Sequence, residues 1–269
     1  MFIYILLCSF MILHCSSCKP TKNEAYSFFI AGHTYGKAGV NNVGLHPPFK
    51  AQFEFIKTQK KIELGMLLGD IVSPHPTLQD WVEVDADIAS LGLPVYFSVG
   101  NHDMENRPVY EKRYGKTYYS FVHQADLFIV LDPNLDEWNI TGDQLNFLKK
   151  TLKEKNEKIH NIYVFFHQVL WVQKGTKYEE IRPNSLAGRA TEINFWSEIE
   201  PLFNQLPNPV FMFAGDLGGG SWATDFYYDH YDNITFIGSG MGEGKGDNYV
   251  IINVSENKSV SYDKIVIEE

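Results

Sequence analysis

The chain has 269 residues, with 33 Asp and Glu against 23 Lys and Arg, for a formal net charge of −10. That balance argues against a broad phosphate-backbone surface, which needs clustered Lys and Arg, but it leaves room for a small anion held by a metal. A hydrophobic share of 44% excludes wholesale disorder. The three cysteines, Cys8, Cys15 and Cys18, leave residues 19–269 with no disulfide framework, thiol nucleophile or Cys-ligated zinc.

Residues 1–13 are almost wholly apolar yet shorter than the about 20 residues that a spanning helix needs. They suit the apolar region of a signal peptide. With the small polar stretch that follows, residues 1–18 resemble a bacterial lipoprotein signal, which implies cleavage before Cys18 and lipid on its thiol. No Lys or Arg precedes the run, and Cys15 stands where a Leu-like residue is usual. An ordinary secretory signal or a weak anchor therefore stays open. Either reading places the body outside the cytosol, in the periplasm or on the cell surface if the source is bacterial. Residues 19–25 read as a polar spacer and 26–269 as one domain.

Tyr26–Ala31 reads as a buried strand ending at Gly32. Phe49, Phe53 and Ile56 predict a helix over 49–60, and Leu64–Leu68 is a second strand closed by Gly69-Asp70. A helix over 77–91 leads to a third strand, 94–99, closed by Gly100-Asn101-His102-Asp103. Three strand–helix units in succession predict a parallel-type α/β sheet, whose ligands sit beyond the carboxyl ends of its strands. Residues 117–123 and 127–131 read as a hairpin, and Thr141 caps a helix running to about Lys155. The strand Ile162–Phe166 ends at His167, and 171–190 reads as a surface loop. A helix over 194–206 precedes the strand Val210–Ala214, which ends at Gly215-Asp216. From Phe226 the short apolar stretches read as antiparallel strands. No P-loop and no Gly-x-Ser-x-Gly elbow is present.

His33, Asp70, Asn101, His102, Asp103, His167 and Asp216 thus fall at strand ends. Asp, Asn and neutral His are ligand types for hard or borderline divalent metals. In their order, Gly69-Asp70, Gly100-Asn101-His102-Asp103 and His167 resemble the motifs of the calcineurin-like metallophosphoesterase family. The resemblance covers roughly residues 26–255 and implies a four-layer α/β/β/α sandwich with two mixed sheets. It further implies a metal-dependent phosphoester hydrolase with one or two divalent ions (Mn, Fe or Zn). Its partners would be a phosphoester small molecule or another anionic substrate, with no nucleic acid and, through a lipid anchor, a membrane.

Carried over residue by residue, the resemblance makes Asp70 a metal bridge and Asn101 and His167 ligands of the second ion. His102 becomes the general acid, and Asp103 orients it. Two motifs depart from the family pattern. Where the family has Asp-x-His-Gly, this chain has His33-Thr34-Tyr35-Gly36, which sets His33 for the Asp and Tyr35 for the His. A shifted register would keep His33 as the His and put Ala31 at the Asp. Where the family has Gly-His-x-His, the chain has Gly215-Asp216-Leu217-Gly218. The second ion position keeps four donors, with Asp216 for an imidazole. The first has His33, shared Asp70 and the Tyr35 phenol, which binds well only as phenolate; a pocket wall is the other reading of Tyr35. Asp225, Asp229 or His230 are candidates to fill the gap left by Gly218, and the cations Lys174, Lys177, Arg182 and Arg189 of the 171–190 loop, with Trp171, are candidates to meet an anion. The alternative function is a non-catalytic metal- or anion-binding protein on a remodelled fold of this kind.

Overall fold

The computed structural model describes residues 24–155, 157–242 and 244–267, so the signal and lipid-attachment reading at 1–18 lies outside them. Strands β1 (Tyr26–Ala31), β2 (Ile62–Leu68) and β3 (Val95–Ser98) run parallel to one another. Then come β4 (Tyr119–His123), β5 (Asp126–Val130), β6 (Ile162–Phe166), β7 (Val210–Ala214), β8 (Phe226–Tyr231), β9 (Ile234–Ser239), β10 (Asn248–Val254) and β11 (Val260–Val266). One sheet has the order β11-β10-β1-β2-β3 and the other β4-β5-β6-β7-β9-β8. Both are mixed. The tail is not wholly antiparallel as its pattern predicts, because β9 pairs parallel with β7 while β8 folds back on it.

The strands at the sheet centres are buried on both faces, so they read as continuous apolar runs rather than alternating ones. In β1, Tyr26, Phe28 and Ile30 face the partner sheet and Phe29 and Ala31 face the helices. The layer between the sheets is aromatic: the Phe28 ring meets Phe128, Tyr163, Phe165 and Phe213 edge-on, at centroid distances of 5.2, 5.0, 6.2 and 6.1 Å. These four partners belong to the second sheet, so one side chain clasps the sandwich.

Helices α1 (Pro47–Ala51), α2 (Phe53–Thr58), α3 (Leu78–Ala89), α4 (Asn101–Met104) and α5 (Arg107–Tyr114) precede β4. The single helix predicted over 49–60 is two, because Gln52 takes ψ −11° and breaks the ladder. The Thr77 amide donates to Asp80, and this reciprocal cap starts α3. Then follow α6 (Gly142–Glu154) and α7 (Glu200–Asn204). The helix predicted over 194–206 is split into a π-turn, Phe195–Ile199, and α7. Pro201 explains the split, since it has no N–H to donate to the preceding turn. At the rim, the Tyr119 hydroxyl accepts from the Phe97 amide at 3.2 Å and donates to the Phe97 carbonyl at 2.8 Å, along the outer edge of β3.

Truncating Phe28 leaves a void that close-packed rings on four sides cannot collapse. Phe28→Ala is expected to cost about 3–5 kcal/mol, read as a lowered midpoint in urea with the slope unchanged.

Candidate metal centre

The site forms where the carboxyl ends of the two sheets meet. Those ends approach backbone to backbone: a Cβ on Gly215 would lie 2.0 Å from the Leu68 carbonyl oxygen, and one on Gly32 would lie 2.5 Å from the Gly215 Cα. No side chain fits at either position. Just beyond, His33 (φ 55°) and Asp70 (φ 48°) hold left-handed backbone. For residues with a Cβ this costs on the order of 1–2 kcal/mol each. Two bonds hold the strained pair: the His33 amide donates to the Gly69 carbonyl at 3.0 Å and the Tyr35 amide to the Asp70 carbonyl at 3.1 Å.

Asp70 is the hub. Its Oδ1 accepts the His102 amide at 3.1 Å, which leaves Oδ2 facing three imidazoles. The distances are 3.8 Å to His33 Nε2, 3.4 Å to His102 Nδ1 and 3.5 Å to His167 Nε2. Beyond His167, its Nε2 stands 3.7 Å from Asp216 Oδ1. Among the described residues no group of three or more His, Cys, Asp or Glu is set to hold a metal ion as it stands. The spacing is at or just beyond that of donors around an ion. Bonds of about 2.0–2.2 Å put neighbouring ligand atoms about 3.0–3.6 Å apart.

The polarity of the donors agrees with this. His167 Nδ1 lies 2.7 Å from the Leu68 carbonyl and His33 Nδ1 lies 2.8 Å from the Met241 carbonyl. A carbonyl only accepts, so Nδ1 carries a proton on both rings and Nε2 is the nitrogen turned to Asp70, a donor to an ion once it is unprotonated. His167 Nε2 and both Asp216 carboxylate oxygens are buried without a hydrogen-bond partner. Buried polar atoms are rarely left so, and His167 Nε2 lies within 3.7 Å of both the Asp70 and the Asp216 carboxylate. The residues therefore fit a divalent ion held by Asp70, His167 and Asp216.

The charges couple tightly. Burial works against a charged His167, but Asp70 and then Asp216 outweigh it and push the imidazole up to about 10. Burial pulls His33 down to about 4 despite Asp70 beside it. Burial pushes Asp216 up to about 8, with Asp70 adding to the rise. Asp70 itself is held well below the usual carboxylate range, because His167, His102 and His33 overcome its burial.

The other sequence-predicted residues divide. His102, with its side chain 20% exposed, stands at the mouth of the site. Asn101 opens α4, half-buried, directly after Gly100. Asp103 does not orient the His102 ring. Its carboxylate accepts the amides of Ile71 (2.9 Å), Val72 (3.2 Å) and Gly100 (2.8 Å), so it ties the segment carrying Asp70 to the turn carrying Asn101 and His102. Burial and the nearby Asp70 push its carboxyl up to about 7.

Tyr35 packs against His33 and His102, at ring distances of 4.5 and 5.2 Å. Burial, Asp70 and Asp216 all push its phenol further from phenolate, so it serves as a wall. Ala31 lies in the helix-side core, which leaves His33 as the donor of the first motif. Gly218 has φ 75°, and a Cβ there would meet the Gly240 carbonyl carbon at 2.6 Å, so this backbone has no room for the family's second imidazole.

The proposed gap-fillers point elsewhere: Asp229 pairs with Lys177 and Tyr178, and His230 bonds Thr235. Asp225 lies against Gly246. Of the loop's candidates, Trp171 is buried in the core, and Arg189 is spent on the Val172 and Ala190 carbonyls.

Two supports carry no local signal in the sequence. Asn184 bonds the Gly219 amide at 2.6 Å and the Leu217 carbonyl at 3.0 Å, which fixes the turn after Asp216. Behind His33, buried His46 stands 3.5 Å from Asp247, whose carboxylate takes the Gly242 amide at 2.9 Å.

The family model described as calcineurin-like phosphoesterase matches residues 33–190, more than half of the chain, and the chain belongs to that family. Asp216 lies beyond the matched residues and rests on geometry alone. Among solved structures the chain is similar to purple acid phosphatase PPD1 from yellow lupin seeds, with TM-score 0.64 and 16% identity over 91% of this chain. The match spans 52% of that phosphatase, about half its length. It is also matched to TT1561 of Thermus thermophilus, with TM-score 0.46, 9% identity and coverage of 89% of this chain and 98% of the other. A single mutant of Vps29 from Entamoeba histolytica gives TM-score 0.39 and 7% identity over 89% of this chain and 98% of the other. No curated protein matches.

A protonated His167 and Asp216 must each give up a proton to bind an ion. Raising the pH therefore strengthens binding, by roughly tenfold per pH unit for each proton released. Calorimetric titration with Mn²⁺ between pH 6 and 7.5 is expected to give a slope of log affinity against pH between one and two. A flat profile would mean that these groups do not hold the metal.

Proposed function

We propose that the chain is a metal-dependent phosphoester hydrolase working around one ion position. The observation that carries this is the place of His167 Nε2, buried without a hydrogen-bond partner, 3.5 Å from Asp70 Oδ2 and 3.7 Å from Asp216 Oδ1. A bound divalent ion supplies Lewis-acid polarisation of a phosphoryl oxygen and makes a water nucleophilic near neutral pH. Two anionic donors and one imidazole favour Mn, Fe or Mg over Zn.

The chain's own residues do the rest. Asp70 would offer Oδ2 to the ion while Oδ1 holds the His102 amide, so the ligand and the mouth of the site move as a unit. His102 is the site imidazole that reaches solvent, where a leaving group departs, and it gives that group its proton. His33 and Tyr35, both buried, pack beside His102 as a wall that excludes water. Asn101, next to His102 in the chain, is the further donor proposed for the ion or the phosphoryl oxygens. The substrate class is a small phosphoester, because the net charge of −10 disfavours a long polyanion.

A second reading has its own support. Because Gly218 admits no side chain and Tyr35 is held as a neutral phenol, a second ion would have only His33 and the shared Asp70. A non-catalytic holder of one metal and its anion would look the same.

Activity separates the two. Metal-loaded protein is expected to hydrolyse phosphomonoesters and to lose turnover on chelation. Asp70→Asn should lose both metal and activity. His102→Asn should keep the metal and lose about 10²–10⁴ in kcat. Bound metal with no turnover on a phosphoester panel would establish the binding protein instead.

A further inference from the structure

Beside the metal centre, Trp222 is a large apolar ring that is 58% exposed yet held in place. Its indole N–H donates to the Asn184 carbonyl at 3.2 Å. The Ala223 amide closes a turn on the Gly220 carbonyl at 2.9 Å, and the Gly218 amide reaches the Thr224 carbonyl at 3.1 Å. The ring lies over Gly220, where a Cβ would come within 2.2 Å of it. The preceding glycine does the same for the metal centre: a Cβ on Gly219 would lie 2.7 Å from His33 Cε1. Consecutive Cα atoms are about 3.8 Å apart, so the nearest atoms of the Trp222 and His33 rings stand within about 12 Å of each other. One short turn, pinned by Asn184, therefore carries both the ligand Asp216 and an outward aromatic face.

We infer that Trp222 is a specificity-determining platform on which an aromatic leaving group of the phosphoester stacks. The inference rests on the hydrolase reading for the position of the phosphoryl group. An indole face attracts a planar ring beyond the gain from buried area alone, and a fixed ring loses little freedom when it does so. Two of the cations in the 171–190 loop are already engaged. Lys177 is paired with Asp229 at 2.6 Å, and the Arg189 guanidinium is spent on two carbonyls and lies over Trp138. Leu186, two residues beyond Asn184, adds a second exposed apolar side chain, 56% exposed. The exposed faces of Trp222 and Leu186 thus offer apolar surface to an aryl group attached to the phosphate, with exposed Arg182, bonded through its backbone to Thr224, as a cation of the same turn.

The test compares equilibrium binding of phenylphosphonate and methylphosphonate, two non-hydrolysable anions, to the Mn²⁺-loaded full chain by calorimetry. Wild type is expected to prefer the phenyl compound by about three- to tenfold beyond the preference seen in Trp222→Ala. Trp222→Phe should keep most of the preference, and both variants should unfold at the wild-type temperature, since the ring is exposed. Equal preference in wild type and Trp222→Ala overturns the inference and leaves the metal-centre reading standing. Failure of both phosphonates to bind wild type overturns the metal-centre reading, and the inference with it.

Discussion

Everything at the site depends on how closely two sheets can bring their backbones together. At Gly32 and Gly215 the carboxyl ends of β1 and β7 touch without intervening side chains, and the Leu68 carbonyl of β2 lies against Gly215. That contact sets the separation of His33, Asp70, His167 and Asp216, because each closely follows a strand that ends at this junction. A methyl group at either glycine would push the sheets apart by more than the tolerance of a coordination sphere. The aromatic layer around Phe28 acts in the same direction from inside, since it draws the sheets to the distance at which the glycines meet.

The cost of this arrangement is local backbone strain at His33 and Asp70. Strain of this size persists only where surrounding bonds over-determine it. Here the surroundings are the Asp103 carboxylate with its three amides, the His46–Asp247 pair behind His33, and the Leu68 and Met241 carbonyls that set the imidazole orientations. Those two carbonyls also fix which ring nitrogen is free. Donor chemistry is thus decided by main-chain atoms of other segments.

Much of this is legible in the sequence, and the limits have physical causes. Tyr26–Ala31, Ile162–Phe166 and Val210–Ala214 are readable to the residue, because strands buried on both faces are short unbroken apolar runs ended by Gly or His. The gathering of His33, Asp70, His167 and Asp216 at one junction is readable for the same reason: each follows such a run. Pairing direction is not, since nothing local tells β9 that it will lie parallel to β7. Asp103 misleads because a carboxylate next to a His invites a side-chain partner, whereas here three amides take it. Asn184 and His46 escape a local reading because the partners of their side chains lie 33 or more residues away along the chain, and Asp247 because its pairing with His46 is as distant. The helix Arg107–Tyr114 escapes it too, although Pro108 and Gly115 mark its ends.

The Tyr119 hydroxyl on the edge of β3 has a consequence for how this protein behaves when crowded. An open strand edge is a template for another chain, and aggregation often begins there. At Phe97 that edge offers neither a free N–H nor a free C=O, because one phenol engages both. Continuation of the sheet into a neighbouring molecule is blocked at that residue by a neutral group that adds no charge to an already acidic surface. A rim that would otherwise be sticky is made self-limiting by a single oxygen atom.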